Sequence, residues 1–488
     1  MQESVALSQL RSTASPAGET VVGPLHQRLA LPTNLNHILL GLMIPSAIMV
    51  LNMSMFSVAL PTMRDEFRVE PDQAAWLVAA YTLPFVIFTP LYGRLGDSLG
   101  KRPMLLMGIL IYALGAFISL FAIDQRLIVI GRIAQGMGTA GINPLSIALI
   151  AEVFPPDQRG RALGSWSSTG PGIATLAPFA AGFLVDHFGW RANFILLLGA
   201  ALLAFGLMIR FLPAASQPFE RRFLRQFDWI GFTLLGLACL FFVFYLSSRP
   251  ITGIEPLQDW RLLLVALLFF GGFYAWERYF PLPLIDFSLF ARKNFGRASV
   301  CALIRMILMN GNDFLIPLYF TDIHGMRPST LGIILATYSG ALLTTTRLAG
   351  QLSDRGLGRW LIVGGLSLQG SMLIVLSQLP ATAPTALVVG VVFVLGMGAG
   401  LSLAVLSAVA MSDIPQQQAG AAAGLFSMIR FSGSIVGTTL AGVLLRHSMG
   451  SSLLPITAYQ MVFGAVAAVA LVGALLAVRL KTNEGLRA

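Results

Sequence analysis

Charged residues are scarce in this sequence. They make up 11% of the 488 residues, whereas hydrophobic residues make up 56%, and a soluble protein carries about 25% charged residues. The two cysteines, Cys239 and Cys301, lie inside apolar runs and give no disulfide or metal pattern. Walker A and HExxH motifs are both missing from the sequence. We therefore predict neither an enzyme nor a bound cofactor or metal.

Long apolar runs dominate what is present, and at about 20 residues each they predict membrane spans. We predict fourteen spans, with these approximate ranges: 36–60, 74–95, 102–122, 127–153, 162–186, 193–212, 229–248, 260–280, 295–320, 329–352, 360–379, 385–411, 419–445 and 457–480. An even number of spans places both termini on the same side of the membrane. The sequence therefore predicts an all-α polytopic membrane protein in contact with the lipid bilayer.

The positions of lysine and arginine predict the orientation. With both termini inside, inner loops hold more basic residues, including Lys101, Arg102, Arg159 and Arg355, than outer loops. This distribution between short loops explains the net charge of +10 better than a nucleic-acid surface does. We predict a protein with its N- and C-termini inside and no nucleic-acid partner.

Basic stretches divide the spans into six, two and six. The stretch Arg210 to Arg225 ends the first six spans, and Arg292-Lys293 precedes the last six. The N-terminus lacks a signal peptide pattern. We predict a disordered inner tail, an N-terminal six-helix bundle, a linker with two extra helices, a C-terminal six-helix bundle and a short tail, at 1–33, 34–212, 213–290, 291–482 and 483–488.

The loop after the second span reads GRLGDSLGKRP and holds Gly93, Asp97, Gly100, Lys101 and Arg102. Glycines allow helix ends to approach closely, and a charge at a helix end can interact with another helix terminus. A weaker copy, with Asp354 and Arg355, follows about 257 residues later. A motif repeated in both halves suggests two related bundles.

These loop residues, together with Leu95, resemble the signature of the major facilitator superfamily between its second and third helices. The resemblance implies two pseudo-symmetric six-helix bundles. The division into six, two and six spans resembles the fourteen-helix drug:proton antiporters of that superfamily, in which the middle pair is inserted. It also implies a bacterial cytoplasmic membrane, a small-molecule substrate, coupling protons and a monomer.

The first and fourth spans carry candidate translocation residues. The first span resembles the exporter signature, but Asn52 stands where that signature usually has an aspartate. Because asparagine cannot titrate, Asn52 either hydrogen-bonds substrate or bridges helices. The fourth span matches the family motif at Arg132 and Gln135. Arg132 is assigned either to proton handling, as the resemblance implies, or to a fixed tether.

The fifth span partly matches the glycine-rich antiporter motif. It keeps Gly164, Pro178 and Gly182, adds Pro171, and has larger residues at other expected glycines. Small residues allow close helix packing in membranes. We predict a packing role for these four positions.

The ninth span contains Arg305, Asn310, Asn312 and Asp313. Arg305 is expected to extend toward the inner surface. Asp313 is about 12 Å further along the helix, too far for a direct pair. Burial favours the neutral form of a carboxyl group, so we predict that Asp313 exchanges protons. The alternative is a static pair with an arginine of another helix.

Two more intramembrane arginines are candidates for the conformational gate. Arg347 lies three residues before Gly350, on the same helix face. Arg430 is followed by spaced glycines in the thirteenth span, an arrangement that resembles the fourteen-helix exporters. We assign both residues to the gate, with Arg430 either as a tether or as the partner of a gate acid.

The residues and the resemblance together predict a secondary transporter that exports hydrophobic or amphipathic small molecules by proton antiport. One alternative is uniport or uptake of an organic solute or lipid without proton exchange, which Asn52 keeps open. A second alternative is a membrane receptor that transports nothing.

Overall fold

The computed structural model describes residues 35–213, 227–280, 285, 287–412, 414, 419–450 and 454–480. The predicted tails, 1–33 and 483–488, lie outside this part of the chain. Regular structure in the described residues is entirely helical. The N-terminal helices are α1 Leu35–Phe67, α2 Pro71–Leu99, α3 Lys101–Leu120, α4 Gln125–Thr139, α5 Ile142–Val153, α6 Pro156–Phe188 and α7 Arg191–Phe211.

The remaining helices form an inserted pair and a second bundle. The inserted segment contains α8 Trp229–Leu246, the short α9 Arg249–Thr252 and α10 Trp260–Glu277, followed by a 3-10 turn at Phe287–Ala291. The second bundle contains α11 Lys293–His324, α12 Pro328–Leu352, α13 Gly358–Gln378, α14 Thr385–Met411, α15 Ala419–Gly450 and α16 Pro455–Ala477.

In the part of the chain that the structure describes, thirteen helical segments are long and apolar enough to cross a membrane. One of them joins α4 and α5 across Ala140 and Gly141. The remaining predicted span is α12, a helix of 25 residues. Its hydropathy is lowered by the run Thr344 to Arg347. Every predicted span therefore corresponds to a helix.

Glycine contacts repeat between the two bundles. A Cβ atom on Gly136 of α4 would overlap the carbonyl oxygen of Tyr81 in α2, and one on Gly396 of α14 would overlap that of Tyr338 in α12. Tyr81 and Tyr338 are 257 positions apart, like the aspartates of the two loop motifs. The same helix packing thus occurs twice, as expected for related bundles.

Two seams join the bundles: α6 packs against α12, and α2 packs against α15. At the outer end of the first seam, a Cβ atom on Gly182 would overlap the carbonyl oxygen of Pro328. At the outer end of the second, one on Gly442 would lie 2.8 Å from the carbonyl oxygen of Pro71. Both seams therefore bring helix backbones into close contact at the outer side.

The inserted helices α8 and α10 pack mainly against one another. Helix α8 also contacts α2 and α15, so the pair lies beside the second seam. Large apolar side chains of α10, such as Leu264, Leu267 and Leu268, are exposed. They present a surface suited to lipid.

Candidate functional site

Arg132 lies in the interior of the N-terminal bundle. Its Nε donates to the carbonyl oxygen of Leu77 at 3.3 Å, and its Nη1 donates to Oε1 of Gln135 at 3.3 Å. The guanidinium also lies over the rings of Phe56 and Tyr81, 4.0 and 4.5 Å from their centroids. Cation–π contacts of this kind stabilise a desolvated cation. The arrangement is that of a tether between α4, α2 and α1.

Asn52 is fully buried beside this arginine cluster. Its amide lies near the Tyr81 hydroxyl, but neither amide atom makes a hydrogen bond of normal geometry. The Tyr81 hydroxyl is instead 2.9 Å from that of Thr139. A buried amide without partners costs free energy unless another group satisfies it. Hydrogen bonding to substrate and bridging between helices both stay predictions for Asn52.

Arg305 is buried in the C-terminal bundle, with only 2% of its surface exposed. Its Nη2 donates to the carbonyl oxygen of Ala399 in α14 at 3.3 Å, whereas its Nε and Nη1 have no partner. The expectation that Arg305 extends to the inner surface is therefore wrong. The polar carbonyl of a neighbouring helix holds the guanidinium inside.

Asp313 lies eleven residues before the end of α11 and is half-buried. It is the only one of the 22 acidic residues that lies deep within a described helix; the others in this part are near helix ends or in turns. Its carboxylate forms no ion pair with any described residue. Its carbonyl oxygen accepts a hydrogen bond from Ser57 of α1, which belongs to the other bundle. Asp313 therefore lies where α1 and α11 meet.

The two neighbouring asparagines of α11 have different surroundings. Asn310 donates to Oγ of Ser434 at 2.9 Å and to the carbonyl oxygen of Met306 at 3.2 Å, which ties α11 to α15. Asn312 is fully buried, and neither of its amide atoms has a partner. Asn312 lies seven residues from Arg305 on the same helix face, whereas the adjacent Asp313 is turned about 100° away from Asn312.

Charged side chains close the outer side between the bundles. Arg64 at the end of α1 donates to both carboxylate oxygens of Asp322 in α11, at 2.7 and 2.6 Å. The Tyr459 hydroxyl of α16 donates to the same carboxylate at 2.6 Å. At the other seam, Ser329 of α12 donates to Asp186 of α6 at 2.6 Å.

A second outer network includes the inserted pair. Arg446 of α15 contacts Glu70, which precedes α2, at 2.7 Å, and Glu255 of the α9–α10 loop at 2.8 Å. Arg249 of α9 pairs with Glu70 as well. Hydrogen bonding to Arg249 holds the pKa of Glu70 below its usual value, and hydrogen bonding to Arg446 does the same for the pKa of Glu255.

The inner halves of the seam helices are more accessible. In α6, Gly164, Ser165 and Ser168 are exposed, and a Cβ atom on Gly164 would meet nothing within 4 Å. Pro171 is half-buried, whereas Pro178 and Gly182 pack against α12. Exposed serines at membrane depth indicate a wet cavity rather than lipid. Outer closure and inner accessibility together define an inward-facing arrangement.

Among the described residues, the polar contacts of the first loop motif are made within its own bundle. Lys101 pairs with Glu152 of α5 at 2.8 Å and lies 4.0 Å from Asp97, which is 68% exposed. Arg102 donates to the carbonyl oxygen of Ile209 in α7 at 2.7 Å. A Cβ atom on Gly93 would meet nothing within 4 Å, whereas Gly100 has a positive φ of 91°.

The second copy of the motif forms a π turn, Ser353–Leu357, in which Gly356 has a φ of 88°. The side chain of Asp354 lies outside the described part, and Arg355 and Arg347 are exposed. Arg430 lies elsewhere, with its guanidinium 4.6 Å from the ring centroid of Phe431. The predicted gate residues therefore do not form one cluster here.

Sequence reasoning missed the acids of the outer closure. Arg64, Arg249 and Arg446 lie in or beside predicted outer loops, but Asp322, Glu70 and Glu255 were not paired with them. The available signal was the opposite charge of residues at outer helix ends. Sequence spacing alone does not pair ends that are separated by up to 376 positions.

Comparison with known families agrees with this architecture. A sequence model described as Major Facilitator Superfamily matches residues 42–296 and 298–486. The chain therefore belongs to the Major Facilitator Superfamily. It is an integral, multi-pass membrane protein that acts as a secondary transporter of small molecules rather than as an enzyme.

Individual relatives include exporters. The multidrug resistance protein Stp of Mycobacterium tuberculosis is 28% identical over 82% of this chain and 74% of its own. The tetracenomycin C resistance and export protein of Streptomyces glaucescens is 27% identical over 84% of this chain and 76% of its own. A solved bacterial homologue of the human lysosomal transporter Spinster, inward-facing and unoccupied, has a TM-score of 0.65 at 14% identity. The match covers 91% of this chain and 96% of the Spinster homologue. At this identity, the similarity supports the fold alone.

Proposed function

We propose that this protein exports hydrophobic or amphipathic small molecules from a bacterial cell across the cytoplasmic membrane, in exchange for protons. The relatives named for drug resistance and antibiotic export support export as the direction. The protein acts as a monomer, since each chain contains both bundles and the cavity between them.

Asp313 carries the proposal of proton coupling. It is the only acidic side chain deep within the described helices, and no described cation pairs with it. An unpaired acid at this depth is costly in its charged form and is most often functional. Asp313 binds a proton when the cavity faces outward and releases it when the cavity faces inward.

The surroundings of Asp313 support coupling to substrate. Asn312 on the same helix and Asn52 in the facing bundle are buried amides without partners, and a polar substrate group can satisfy either of them. Proton and substrate then affect each other's binding, and by linkage the effect is reciprocal. Antiport requires that a bound proton weakens substrate binding at the inward-facing site, and that bound substrate weakens proton binding there.

Reconstituted vesicles with an imposed pH gradient test this proposal. We expect wild-type protein to accumulate ethidium or fluorescein, an organic cation and an organic anion, against its gradient. Asp313→Asn should abolish this accumulation, yet dye exchange at equilibrium should continue because exchange needs no net proton movement. Asp65→Asn is the matched control, since Asp65 is 60% exposed at the outer end of α1.

Full accumulation by Asp313→Asn would show that Asp313 has a structural role. Failure of wild-type protein to move either dye would contradict the export of amphipathic molecules. Loss of both accumulation and exchange in Asp313→Asn would assign Asp313 to substrate binding rather than to coupling alone.

One observation favours a second candidate function, uniport or uptake of an organic solute without proton exchange. Asn52 provides no titratable group at the position where the exporter signature that the first span resembles usually has an aspartate. Under this alternative, wild-type vesicles reach the same final dye distribution with and without a pH gradient. Vesicles with Asp313→Asn reach that distribution as well.

A further inference from the structure

The loop that joins the two inserted helices has a defined shape. The hydroxyl of buried Ser248 lies 2.9 and 3.0 Å from the carbonyl oxygens of Ile254 and Glu255. Leu257 donates its backbone N–H to the carbonyl oxygen of Tyr245 at 3.2 Å. Gly253 turns the chain with a φ of 76°, a conformation that glycine adopts at little cost. These contacts hold the backbone from which the Glu255 side chain extends.

This loop contacts the N-terminal bundle at two places. Arg249 pairs with Glu70 at the start of α2. Six residues further along the chain, in α2, Nε1 of Trp76 donates to Oγ of Ser247 at 2.9 Å. The ring of Trp76 also packs against Phe244 of α8, with 5.5 Å between the centroids. The outer end of the inserted pair is therefore held against α2.

The same loop contacts the C-terminal bundle through Arg446 of α15. Nη1 and Nη2 of Arg446 donate to the two carboxylate oxygens of Glu255, at 2.8 and 3.1 Å. This paired geometry is the favoured one for an arginine and a carboxylate. Arg446 has only 19% of its side chain exposed, which reduces screening by solvent. Its Nε also lies 3.9 Å from the buried carboxylate of Asp72.

These contacts have a mechanical consequence. When the cavity opens outward, the outer ends of α2 and α15 must separate. An inserted pair that remains with α2 loses the Glu255–Arg446 contact, and one that remains with α15 loses the contacts of Arg249 and Trp76. Outward opening therefore breaks one of the two attachments, whichever bundle the pair follows.

We propose that the inserted helical pair is a strap of the outer gate, with Glu255 and Arg249 as its two attachment points. The strap stabilises the inward-facing state and thereby sets how often the transporter opens outward. Arg446 and Glu255 are positioning residues in this role, since they act on the gate and contact no substrate. This inference goes beyond the proposed export function and holds for any substrate.

Spin-label distances across the outer side test the strap. The labels are placed at Arg126→Cys, at the start of α4, and Thr382→Cys, between α13 and α14, because both positions are exposed and belong to opposite bundles. The two native cysteines are removed by Cys239→Ser and Cys301→Ala, so that only the introduced cysteines carry labels. Wild-type protein in lipid nanodiscs should show mainly the shorter, outward-closed distance.

Glu255→Gln and Arg249→Gln should each raise the ratio of outward-open to outward-closed molecules by about two- to five-fold, the range for partly exposed ion pairs. Arg446→Gln should raise this ratio further, since Arg446 also contacts Glu70. In the Arg446→Gln background, Glu255→Gln should add no further change. Arg261→Gln is the matched control, because Arg261 is exposed at the start of α10 and makes no ion pair among the described residues.

The inference is overturned if Glu255→Gln and Arg249→Gln leave the distance distribution like that of Arg261→Gln. It is also overturned if Glu255→Gln has the same effect with and without Arg446, because Glu255 would then act through another partner. Thermal unfolding of each variant identifies a general loss of stability. Such a loss without a change in the distance ratio counts against the strap.

Discussion

Arg64 of α1 and Asp322 of α11 form a two-bonded ion pair across the outer ends of the two bundles. Both side chains are mostly buried, with 14% and 16% of their side-chain surface exposed. Hydrogen bonds between charged groups contribute about 1.5–3 kcal/mol in such surroundings. This pair belongs to the inward-facing arrangement, since outward opening separates the helix ends that carry it.

Asp322→Asn should therefore shift the protein toward the outward-open state by roughly 10- to 100-fold. Spin-label distances between the outer ends of the bundles measure this shift. Asp65→Asn is the control, because Asp65 also contacts Arg64 at 2.8 Å but lies in the same helix. An equal shift in both variants would mean that the charge of Arg64, not the contact between the bundles, controls the gate.

Gly182→Ala should also weaken outer closure, because the added Cβ atom would overlap the carbonyl oxygen of Pro328. Gly164→Ala adds the same atom to the same helix where nothing lies within 4 Å. We expect slower transport and a more outward-open population in the first variant only. Equal transport rates for the two variants would show that α6 and α12 adjust to the extra methyl group.

Asp97→Asn should slow transport and leave substrate binding largely unchanged. We expect Asp97, with Gly93 and Arg102, to join the inner ends of the bundles in the outward-open state. In the inward-facing structure Asp97 is exposed, so its loss should not affect thermal stability in that state. Transport kinetics and a dye-binding titration measure the two effects. A wild-type transport rate in Asp97→Asn would contradict a role of Asp97 in the inner gate.

Arg132→Lys should lower thermal stability and the yield of folded protein. Lysine lacks the planar guanidinium that stacks on Phe56 and Tyr81, and the two side chains are not interchangeable at stacked sites. A fixed tether predicts an unchanged pH profile for the transport that remains. A stable variant with a shifted pH profile would assign Arg132 to proton handling instead.

The outer network should withstand mild acid. A carboxylate with a lowered pKa stabilises the state in which it is paired at pH values above its usual pKa. That contribution disappears only as the pH falls through the lowered value. Glu70 faces Arg249 and Arg446, and Glu255 faces Arg446, Arg249 and His447. The carboxylates of both residues should therefore stay paired at pH 4.5, the usual pKa of glutamate.

Outer spin-label distances, measured from neutral pH to below pH 4 in wild-type and Glu255→Gln protein, check this prediction. The difference between the two proteins should persist to pH 4.5 and decrease below it. Loss of the difference between pH 7 and 6 would contradict this prediction.

Much of the fold could be predicted from the sequence because membrane spans depend on local composition. A run of about 20 apolar residues must cross the bilayer as a helix, since its backbone has no other partners there. The loop motif and its copy near Asp354 likewise indicated two related bundles, and the glycine contacts of Gly136 and Gly396 show the repeat directly. The expectation for Arg305 was wrong because local sequence does not reveal which carbonyl of α14 accepts its hydrogen bond.

The sequence by itself determined the number of spans, the family motifs and the presence of one deep acid, Asp313. Only the tertiary structure decided which charges meet. The partners Arg64 and Asp322, or Arg446 and Glu255, are far apart in the chain and come together only when helix ends pack. Ion pairing depends on distances of a few ångströms, and sequence spacing fixes such distances only within a single helix.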